Sequence, residues 1–245
     1  MQPAGYRTYA VGSALLVTRP DYFLFLRDAL HAQDSLYAYA ALLPEATLLH
    51  GRGATYRVGT PHGDWVVRRC RRGGAVAWLL GDRYVRLGAP RQLRELMVSE
   101  WARSRGVRTP EVKAVVLHAT RWFVRSDLAT GFIAGGEDLA QLAAGASTRL
   151  SGQVSAAWSA AGRLVRELAA AGLSHPDLHL KNIIIRAATD GPEAWVLDLD
   201  RAQMGRANAA AMWLRLQRSL AKWERTSGRP IAAEQRAALE AGYHG

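Results

Sequence analysis

Two neighbouring segments of the chain carry side chains that can hold a proton, a divalent cation and phosphate groups. The first is His175-Pro-Asp-Leu-His-Leu-Lys-Asn182, and the second, after an apolar run, is Val196-Leu-Asp-Leu-Asp200. Phosphoryl transfer asks a protein mainly to position groups and neutralise charge. One carboxylate must face an acceptor hydroxyl, while other oxygen ligands hold magnesium against the phosphates. We therefore predict that Asp177 is the catalytic carboxylate, that Asn182 and Asp198 bind Mg2+, and that ATP is the phosphate donor.

The spacing of these residues matches the kinase catalytic loop H-x-D-L-x-x-x-N, followed by a strand and the metal-binding aspartate of the next loop. A rigid loop between a helix and a β hairpin would present Asp177 and Asn182 together, and the returning strand would bring Asp198 to the same edge. In the alternative interpretation, these residues are loop caps and a turn residue. Because apolar strands stand in the expected places, the combined motif favours the catalytic interpretation.

The positive charges of this loop allow more than one assignment. His179 occupies the place where many kinases carry a lysine directed at the transferring phosphate, and it could contact phosphate or hydrogen-bond within the loop. Lys181 could supply the positive charge instead, or it could be a solvated lysine. We place His179 among the predicted nucleotide-binding residues.

Further nucleotide-binding residues are predicted upstream. Gly51 and Gly53 lie in the first predicted hairpin, where glycines would let backbone amides approach a phosphate. A Walker-type G-K-[ST] sequence is absent, which disfavours the P-loop class. Arg68 stands on a predicted strand where other kinases carry lysine, and Glu95 on the following helix is its predicted partner, since arginine can bind a carboxylate in bidentate fashion. In the alternatives, Arg69 takes this place, or Arg68 is an exposed strand arginine.

The elements that must position these residues fall into a strand-rich half and a helix-rich half. In the first half, strands are predicted at 47–57, 65–69, 112–117 and 122–124, with a helix between the second and third through Leu93, Leu96, Met97 and Trp101. The second half is predicted to begin with a helix whose apolar face is formed by Val154, Trp158, Ala161, Val165 and Leu168. Strands at 183–186 and 195–199 and a final helical region follow it. We therefore predict an α+β, protein-kinase-like bilobal fold with a strand-rich N-lobe, residues 1–130, and a helix-rich C-lobe, residues 131–245.

The charge balance predicts attraction to anionic partners. The net charge is +11, which favours nucleic acid, nucleotides, acidic sugars or the phosphates of a membrane surface, and charge alone does not choose among them. The run from Arg68 to Arg72, before Gly73-Gly74, could clamp an acidic acceptor or be a solvated loop. Because no motif of nucleic-acid recognition accompanies the charge, we expect no nucleic-acid partner.

A C-terminal helix is predicted to carry two opposite faces. Its apolar face is formed by Trp213, Leu216, Leu220 and Trp223, and its basic face by Arg215, Arg218, Lys222 and Arg225. The two sets are about 200° apart at ~100° per residue. The basic face would then point outward, either to contact phosphates or as an ordinary solvated surface.

Cysteine usage and hydropathy bear on location. The single cysteine, Cys70, excludes an internal disulfide, and no apolar run approaches the ~20 residues that span a bilayer. We expect a protein that is neither secreted nor membrane-spanning.

Taken together, the motifs of this chain resemble those of the 3-deoxy-D-manno-octulosonic acid (Kdo) kinases, which belong to the lipopolysaccharide kinase group of Gram-negative bacteria. The resemblance covers residues from about 47 to 223 and rests on Gly-Arg-Gly at 51–53, Arg-Arg-Gly-Gly at 71–74, the loop 175–182, Leu-Asp-Leu-Asp-Arg at 197–201 and Leu-Gln-Arg-Ser-Leu-x-Lys at 216–222. The catalytic loop is shared by the whole kinase-like superfamily, whereas the arginine-glycine run and the C-terminal segment point to this branch. Asp200 stands where the magnesium loop usually has glycine, so loop flipping of the protein-kinase type is not expected.

The resemblance implies a substrate and a location. The acceptor would be a hydroxyl of the Kdo sugar on a lipid A precursor, phosphorylated from ATP at the cytoplasmic face of the inner membrane, with peripheral contact to the anionic membrane surface. The alternatives are a lipopolysaccharide core heptose kinase or another small-molecule kinase, since acceptor choice lies in loops that motifs do not describe. A catalytically silent, anion-binding scaffold is a further alternative.

Overall fold

The computed structural model describes residues 3–49, 55–69, 84–85, 90–119, 123–147 and 149–245. Gly51, Gly53 and the basic run beyond Arg69 lie outside these described residues. The chain divides into two compact units. The first comprises Met1–Glu100 and Glu111–Phe132, and the second comprises Trp101–Pro110 and Ile133–Gly245.

The first unit is built on an antiparallel sheet. Its described strands, in chain order, are β1 (Arg7–Val11), β2 (Ala14–Thr18), β3 (Thr47–Leu49), β4 (Thr55–Thr60), β5 (Gly63–Arg69), β6 (Tyr84–Val85), β7 (Val112–Ala119) and β8 (Phe123–Gly131). They are hydrogen-bonded in the order β1-β2-β7-β8-β5-β4-β3, and β6 also pairs with β8. The register sets Arg68 of β5 opposite Thr55 on one side and Leu128 on the other. The backbone that carries Arg68 is therefore paired along both edges.

Helices cover both faces of this sheet. The three described helices of the unit are α1 (Phe23–Ala32), α2 (Leu36–Leu42) and α3 (Arg91–Arg103), whose last three residues belong to the second unit. Successive strand residues point to opposite faces, and the buried residues follow this alternation. Leu16 and Ala129 pack in one cluster with α1 and α2, whereas their neighbours Val17 and Leu128 pack in another with Leu96 of α3.

The second unit combines four helices with short strands in its described part. The helices are α4 (Leu139–Ala143), α5 (Val154–Ala170), α6 (Ala209–Ser227) and α7 (Ala233–His244). A three-stranded antiparallel sheet has the order β12 (Glu193–Val196), β11 (Ile183–Arg186) and β9 (Gly136–Asp138), and a second pair joins β10 (Leu173–Ser174) to β13 (Gln203–Met204).

Two glycines let α5 and α7 approach each other closely. A Cβ added at Gly162 would come within 2.1 Å of the Leu239 carbonyl oxygen, and one added at Gly242 within 2.1 Å of the Ser159 carbonyl oxygen. Neither contact can be relieved by a side-chain movement, because the obstructing atoms are backbone. The close approach of α7 to α5 therefore requires glycine at both positions.

The α+β prediction is confirmed, and most of its elements are found. In α5 the predicted stripe from Trp158 to Leu168 is fully buried, and strand β11 has the predicted bounds. The prediction of one strand over 47–57 is wrong, because β3 and β4 are antiparallel partners with Thr47 opposite Arg57. The strand predicted at 122–124 reaches Gly131, and the β1-β2-α1-α2 segment was not predicted.

Candidate active site

The loop from His175 to Asn182 is held by backbone hydrogen bonds and buried apolar anchors. It leaves β10 and enters β11 through a short 3-10 turn, Leu180–Asn182. The N–H of Leu178 donates to the His175 carbonyl at 3.2 Å, and the N–H of Asn182 donates to the His179 carbonyl at 2.8 Å. Leu178 and Leu180 are buried, whereas Asp177 between His175 and Leu178 is only half-buried. The loop thus presents Asp177 from a fixed backbone.

Asn182 connects this loop to the strand that leads to Asp198. Its side-chain Nδ2 donates to the Asp177 carbonyl oxygen at 3.2 Å, and its own carbonyl accepts from the N–H of Leu197 at 2.9 Å. The register of β11 and β12, with Ile183 opposite Val196, sets Asn182 opposite Leu197. Asn182 is only 7% exposed. The structure therefore brings Asp177, Asn182 and the start of the Asp198 segment together.

Asp198 has an unusual backbone conformation. With φ 62° and ψ 58°, it lies in the left-handed region, and among the described residues no other non-glycine residue has a positive φ. Such a conformation costs roughly 1–3 kcal/mol and persists where the surroundings impose it, most often at functional sites. Leu197 is hydrogen-bonded on one side of Asp198, and Leu199 is buried on the other. These neighbours hold the backbone of Asp198 in place.

His175 supports the loop from beneath. It is fully buried, and its Nε2 lies 3.0 Å from the Leu197 carbonyl oxygen. Because a carbonyl only accepts, Nε2 carries the proton. Burial lowers the pKa of His175, and this shift is opposed by the Leu197 hydrogen bond and by the nearby carboxylates of Asp198, Asp177 and Asp200. His175 thus supports the loop from a buried position close to all three carboxylates.

Asp177 pairs with Arg215 of α6, an interaction that the sequence analysis missed. The Nη2 of Arg215 donates to Oδ1 of Asp177 at 2.7 Å. Burial raises the pKa of Asp177, but the Arg215 hydrogen bond, with the charges of His179, Arg215 and His175, outweighs it and leaves the pKa below its usual value. Asp177 is therefore a carboxylate at neutral pH.

Helix α6 is fixed against the loop from His175 to Asn182 at a second point. The Ser219 hydroxyl accepts from the N–H of Leu180 at 3.3 Å, one helical turn beyond Arg215. Helical phase had assigned Arg215 to the outward basic face, and the structure corrects this for Arg215 alone, since Arg218, Lys222 and Arg225 are exposed. The available signal was the i, i+4 spacing of Arg215 and Ser219, which share one helix face.

Two further basic residues of the loop, His179 and Lys181, lie close to the carboxylate of Asp138. Asp138 caps α4 in a capping box with Gln141. Burial raises the pKa of Asp138, and the charges of Lys181 and His179 act in the opposite direction. Lys181 is exposed, and His179 also lowers the pKa of Asp177. A phosphate contact by His179 stays a prediction.

In the first unit, Arg68 and Glu95 form the predicted pair. The Nη2 of Arg68 lies 2.6 Å from both carboxylate oxygens of Glu95. The Glu95 side chain is 7% exposed and that of Arg68 is 32% exposed. The guanidinium of Arg68 is therefore held by a buried carboxylate and still reaches solvent. Arg69, the alternative, is engaged elsewhere: it donates to the Ser35 hydroxyl at 3.0 Å and lies 3.6 Å from the fully buried Asp127.

The residues predicted to bind magnesium suit that ion chemically. Within the described ranges, no group of three or more His, Cys, Asp or Glu side chains could hold a metal ion. The predicted ligands are instead one amide and one carboxylate, and Mg2+ typically takes one or two protein oxygens together with substrate phosphates and water. Because the Asn182 amide donates through its nitrogen, its oxygen is the atom that could bind the ion. Asn182 and Asp198 therefore fit a magnesium ion shared with a nucleotide.

Comparison with known proteins gives matches over most of the chain. Residues 46–243 match the lipopolysaccharide kinase (Kdo/WaaP) family. The chain is 32% identical to a 3-deoxy-D-manno-octulosonic acid kinase of Xanthomonas oryzae pv. oryzae (strain PXO99A) over 179 residues, which is 70% of this chain and 68% of that protein. It is 31% identical to the protein of the same name from Xylella fastidiosa (strain M23) over 158 residues, 63% of this chain and 59% of that protein.

A solved structure shows the same fold. It is that of WaaP in complex with acyl carrier protein, which matches with a TM-score of 0.55 and 19% identity over 94% of this chain and 88% of that one. At this identity the match is evidence for the fold alone. The protein-kinase-like fold predicted from the sequence is confirmed.

Proposed function

Because the chain belongs to the lipopolysaccharide kinase (Kdo/WaaP) family, we propose that it transfers the γ-phosphoryl group of ATP to a hydroxyl of the Kdo sugar on a lipid A precursor. The observation that carries this proposal is the connected set formed by Asp177, Asn182 and the Leu197-Asp198 segment. A family relationship without these residues would support a silent scaffold as well. Their presence on two loops that are joined by hydrogen bonds favours an active phosphotransferase.

Asp177 faces the acceptor in this proposal. The acceptor oxygen forms a bond to the γ-phosphorus, the bond from that phosphorus to the oxygen of ADP breaks, and the hydroxyl proton passes to the Asp177 carboxylate and then to solvent. Because the Asp177 pKa lies below its usual value, Asp177 is a weak base in the ground state. Phosphoryl transfer needs little base strength early in the reaction, so orientation of the hydroxyl is its main contribution.

Asn182 and Asp198 would hold magnesium, which when bound neutralises charge on the donor phosphates. The strained backbone of Asp198 supports this role, because a left-handed aspartate that is costly for folding is retained where its side-chain direction matters. The Asn182 amide is oriented by its bond to the Asp177 carbonyl. The Asn182 side chain thus connects Asp177, which would face the acceptor, to the magnesium site.

The nucleotide phosphates would be steadied by Arg68 with Glu95, by backbone amides at Gly51 and Gly53, and by His179. The Arg68–Glu95 contact supports this assignment because a buried carboxylate fixes the direction of a cation that still reaches solvent. For Gly51, Gly53 and His179, the support is their place in the sequence motif.

Peripheral contact with the cytoplasmic face of the inner membrane completes the proposal. Helix α6 exposes Arg218, Lys222 and Arg225 on one side, a cluster suited to anionic headgroups or to the phosphates of the lipid acceptor. Among the residues that the structure describes, no helix has the length and apolar character to cross a bilayer.

The test is transfer of labelled phosphate from ATP to three purified acceptors: a lipid A precursor bearing Kdo, the same precursor without Kdo, and a heptose-bearing core. We expect magnesium-dependent labelling of the Kdo-bearing acceptor, with mass spectrometry locating the phosphate on Kdo. Asp177→Ala should lower turnover by roughly 10²–10⁴-fold while ATP binding persists. Asp190→Ala, at an exposed turn position, is the matched control.

Each outcome separates the alternatives. Labelling of heptose alone would replace Kdo by heptose as the acceptor. No labelling, with no magnesium-dependent nucleotide binding, would favour the anion-binding scaffold. Full turnover by Asp177→Ala would remove Asp177 from the reaction.

A further inference from the structure

In the proposed function the acceptor hydroxyl has to reach Asp177, and Arg215 is in direct contact with that carboxylate. Its guanidinium contacts one oxygen of Asp177 through one nitrogen at 2.7 Å. The side chains of Arg215 and Asp177 are 31% and 36% exposed, so the pair faces solvent together. A guanidinium has five N–H donors in a fixed planar arrangement. A molecule that brings a hydroxyl to Asp177 therefore also meets the remaining donors of Arg215.

The position of Arg215 is fixed by the packing of α6. Met212, Leu216 and Leu220 on the same helix are fully buried, or nearly so. The indole of Trp213 stacks on the ring of Tyr243 in α7, with ring centroids 4.3 Å apart and an interplanar angle of 3°. Together with the Ser219–Leu180 hydrogen bond, these contacts hold the arginine backbone in register with the catalytic loop. A group held in advance loses little freedom when it binds a ligand.

The charge at this place differs from that of the usual kinase loop. A lysine two residues beyond the catalytic aspartate commonly faces the transferring phosphate, and here that residue is His179. The cation in direct contact with Asp177 comes instead from α6, 38 residues further along the chain. Its planar arrangement of donors suits a carboxylate, which it can bind through two parallel hydrogen bonds.

An acid acceptor and a neutral acceptor would meet this site differently. The relatives of this chain are kinases of an octulosonic acid, a sugar whose name states that it carries a carboxyl group. A neutral heptose offers only hydroxyls to a guanidinium. From this contrast and the Arg215 geometry, we infer that Arg215 is a specificity-determining residue that binds the carboxylate of an ulosonic-acid acceptor while Asp177 receives the hydroxyl of the same sugar. The inference rests on the proposed function and deepens it.

The test varies both partners of the proposed contact. Wild type, Arg215→Gln and Arg215→Lys are assayed with a Kdo-bearing lipid A precursor and with the same acceptor converted to the Kdo methyl ester. For wild type, the ester should have a KM about 10- to 100-fold higher than the acid, as expected for a lost charge-assisted hydrogen bond. Arg215→Gln should raise the KM for the acid by a similar factor and leave the KM for the ester nearly unchanged.

Further measurements distinguish recognition from a structural role. The KM for ATP should stay constant in every variant, and Arg215→Lys, which keeps the charge without the planar donors, should lie between wild type and Arg215→Gln. Arg166→Gln, an exposed arginine on α5, is the matched control. Should Arg215→Gln fail to fold, Arg215→Lys carries the comparison of acid and ester.

Two results would overturn the inference. One is a wild-type enzyme that does not distinguish acid from ester. The other is an Arg215 variant whose KM rises equally for both acceptors or whose defect lies in the KM for ATP. Direct titration of free Kdo and of its methyl ester separates this inference from the proposed function. If the acid binds in an Arg215-dependent way but no turnover is seen, the inference stands and the proposed function is removed. If turnover is seen without a preference for the carboxylate, the proposed function stands and the inference is removed. Absence of both binding and turnover removes both.

Discussion

The two units of this chain hold their chemistry-bearing residues by different means. In the second unit, Asp177 and Asp198 belong to loops whose own backbones are fixed by hydrogen bonds through Asn182 and Leu197. In the first unit, Arg68 is directed by a side chain, the buried carboxylate of Glu95, across a sequence separation of 27 residues. The backbone of the loop sets the first arrangement, and one ion pair sets the second.

This difference separates two kinds of functional effect. A group fixed by the backbone keeps its place when a neighbouring side chain is changed, so a substitution there removes its own chemistry and lowers kcat. A group fixed by one partner loses its direction when that partner is changed, so a substitution of either residue weakens the binding of the same ligand. We therefore expect a fall in kcat from the second unit, accompanied at the predicted magnesium ligands by weaker magnesium-dependent ATP binding. From the first unit we expect a higher KM for ATP without a fall in kcat.

The largest effect is expected at Asp198. Asp198→Gly should lower kcat by at least roughly 10²-fold, as for other groups that stabilise transition-state charge. The same substitution should raise the free energy of unfolding by about 1 kcal/mol, because glycine adopts a positive φ without strain. Asp198→Asn should lose activity with little change in stability, since asparagine tolerates this region better than most residues. Urea unfolding and initial-rate kinetics check both statements, and a loss of stability in Asp198→Gly would contradict the strain argument.

The next effect is expected in the first unit. Glu95→Gln removes the charge that directs Arg68, so the KM for ATP should rise about 10-fold or more while the KM for the acceptor stays constant. Glu45→Gln, an exposed glutamate of the same unit, serves as the control in steady-state kinetics. A fall in kcat with an unchanged KM for ATP would break the distinction between the two units.

A shift in pH dependence is expected from Arg215→Gln. The groups that keep the pKa of Asp177 low against the effect of burial are Arg215 on α6 and His179 and His175 on the loop. Without the arginine hydrogen bond the pKa rises, so the acidic limb of the kcat profile should move to higher pH than in wild type. In wild type the depressed pKa stabilises the fold above the unfolded pKa of aspartate, ~3.9, and this contribution is lost as pH falls through the folded pKa. An acidic limb that does not move would separate Arg215 from the ionisation of Asp177.

The smallest effect is expected from Ser219→Ala. It removes the hydroxyl that accepts from Leu180, so the free energy of unfolding should fall by about 0.5–1.5 kcal/mol, with only a small decrease in kcat. The loop keeps its other backbone hydrogen bonds. Ser155→Ala, at an exposed position of α5, is the control for denaturant unfolding. A loss of kcat as large as that of the Asp198 variants would mean that α6, and not the loop backbone, sets the catalytic geometry.

The sequence predicted the local geometry of residues 175–198 well because the information for it is local. The spacing of Asp177, Asn182 and Asp198 follows from one loop and one short hairpin, and the strand at Ile183–Arg186 was found with its bounds. The α+β fold itself was predicted from hydrophobic periodicity, as in the buried apolar stripe of α5. Whether each of these residues performs its predicted role stays a prediction that the kinetic variants test.

What the sequence did not predict depends on contacts between distant segments or on backbone strain. Helical periodicity predicts the face of α6 on which the Cα atom of Arg215 lies. It does not predict that the long side chain, near the border of that face, reaches back to Asp177. The residue type of Asp198 gives only a weak signal for its left-handed conformation, because aspartate adopts it more often than most residues but still rarely. A signal for the β1-β2 hairpin was present in Gly12-Ser13, a two-residue turn between two strands, with φ 55° at Gly12.

The central claim is that Asn182 and Asp198 bind a magnesium ion with ATP while Asp177 serves the acceptor. The most direct test is calorimetric titration of ATP, with and without Mg2+, into wild type, Asp177→Asn, Asn182→Ala and Asp198→Asn. We predict that magnesium strengthens ATP binding to wild type and to Asp177→Asn, and that this gain is lost in the Asn182 and Asp198 variants. An undiminished magnesium effect in Asp198→Asn, or its loss in Asp177→Asn, would contradict the account.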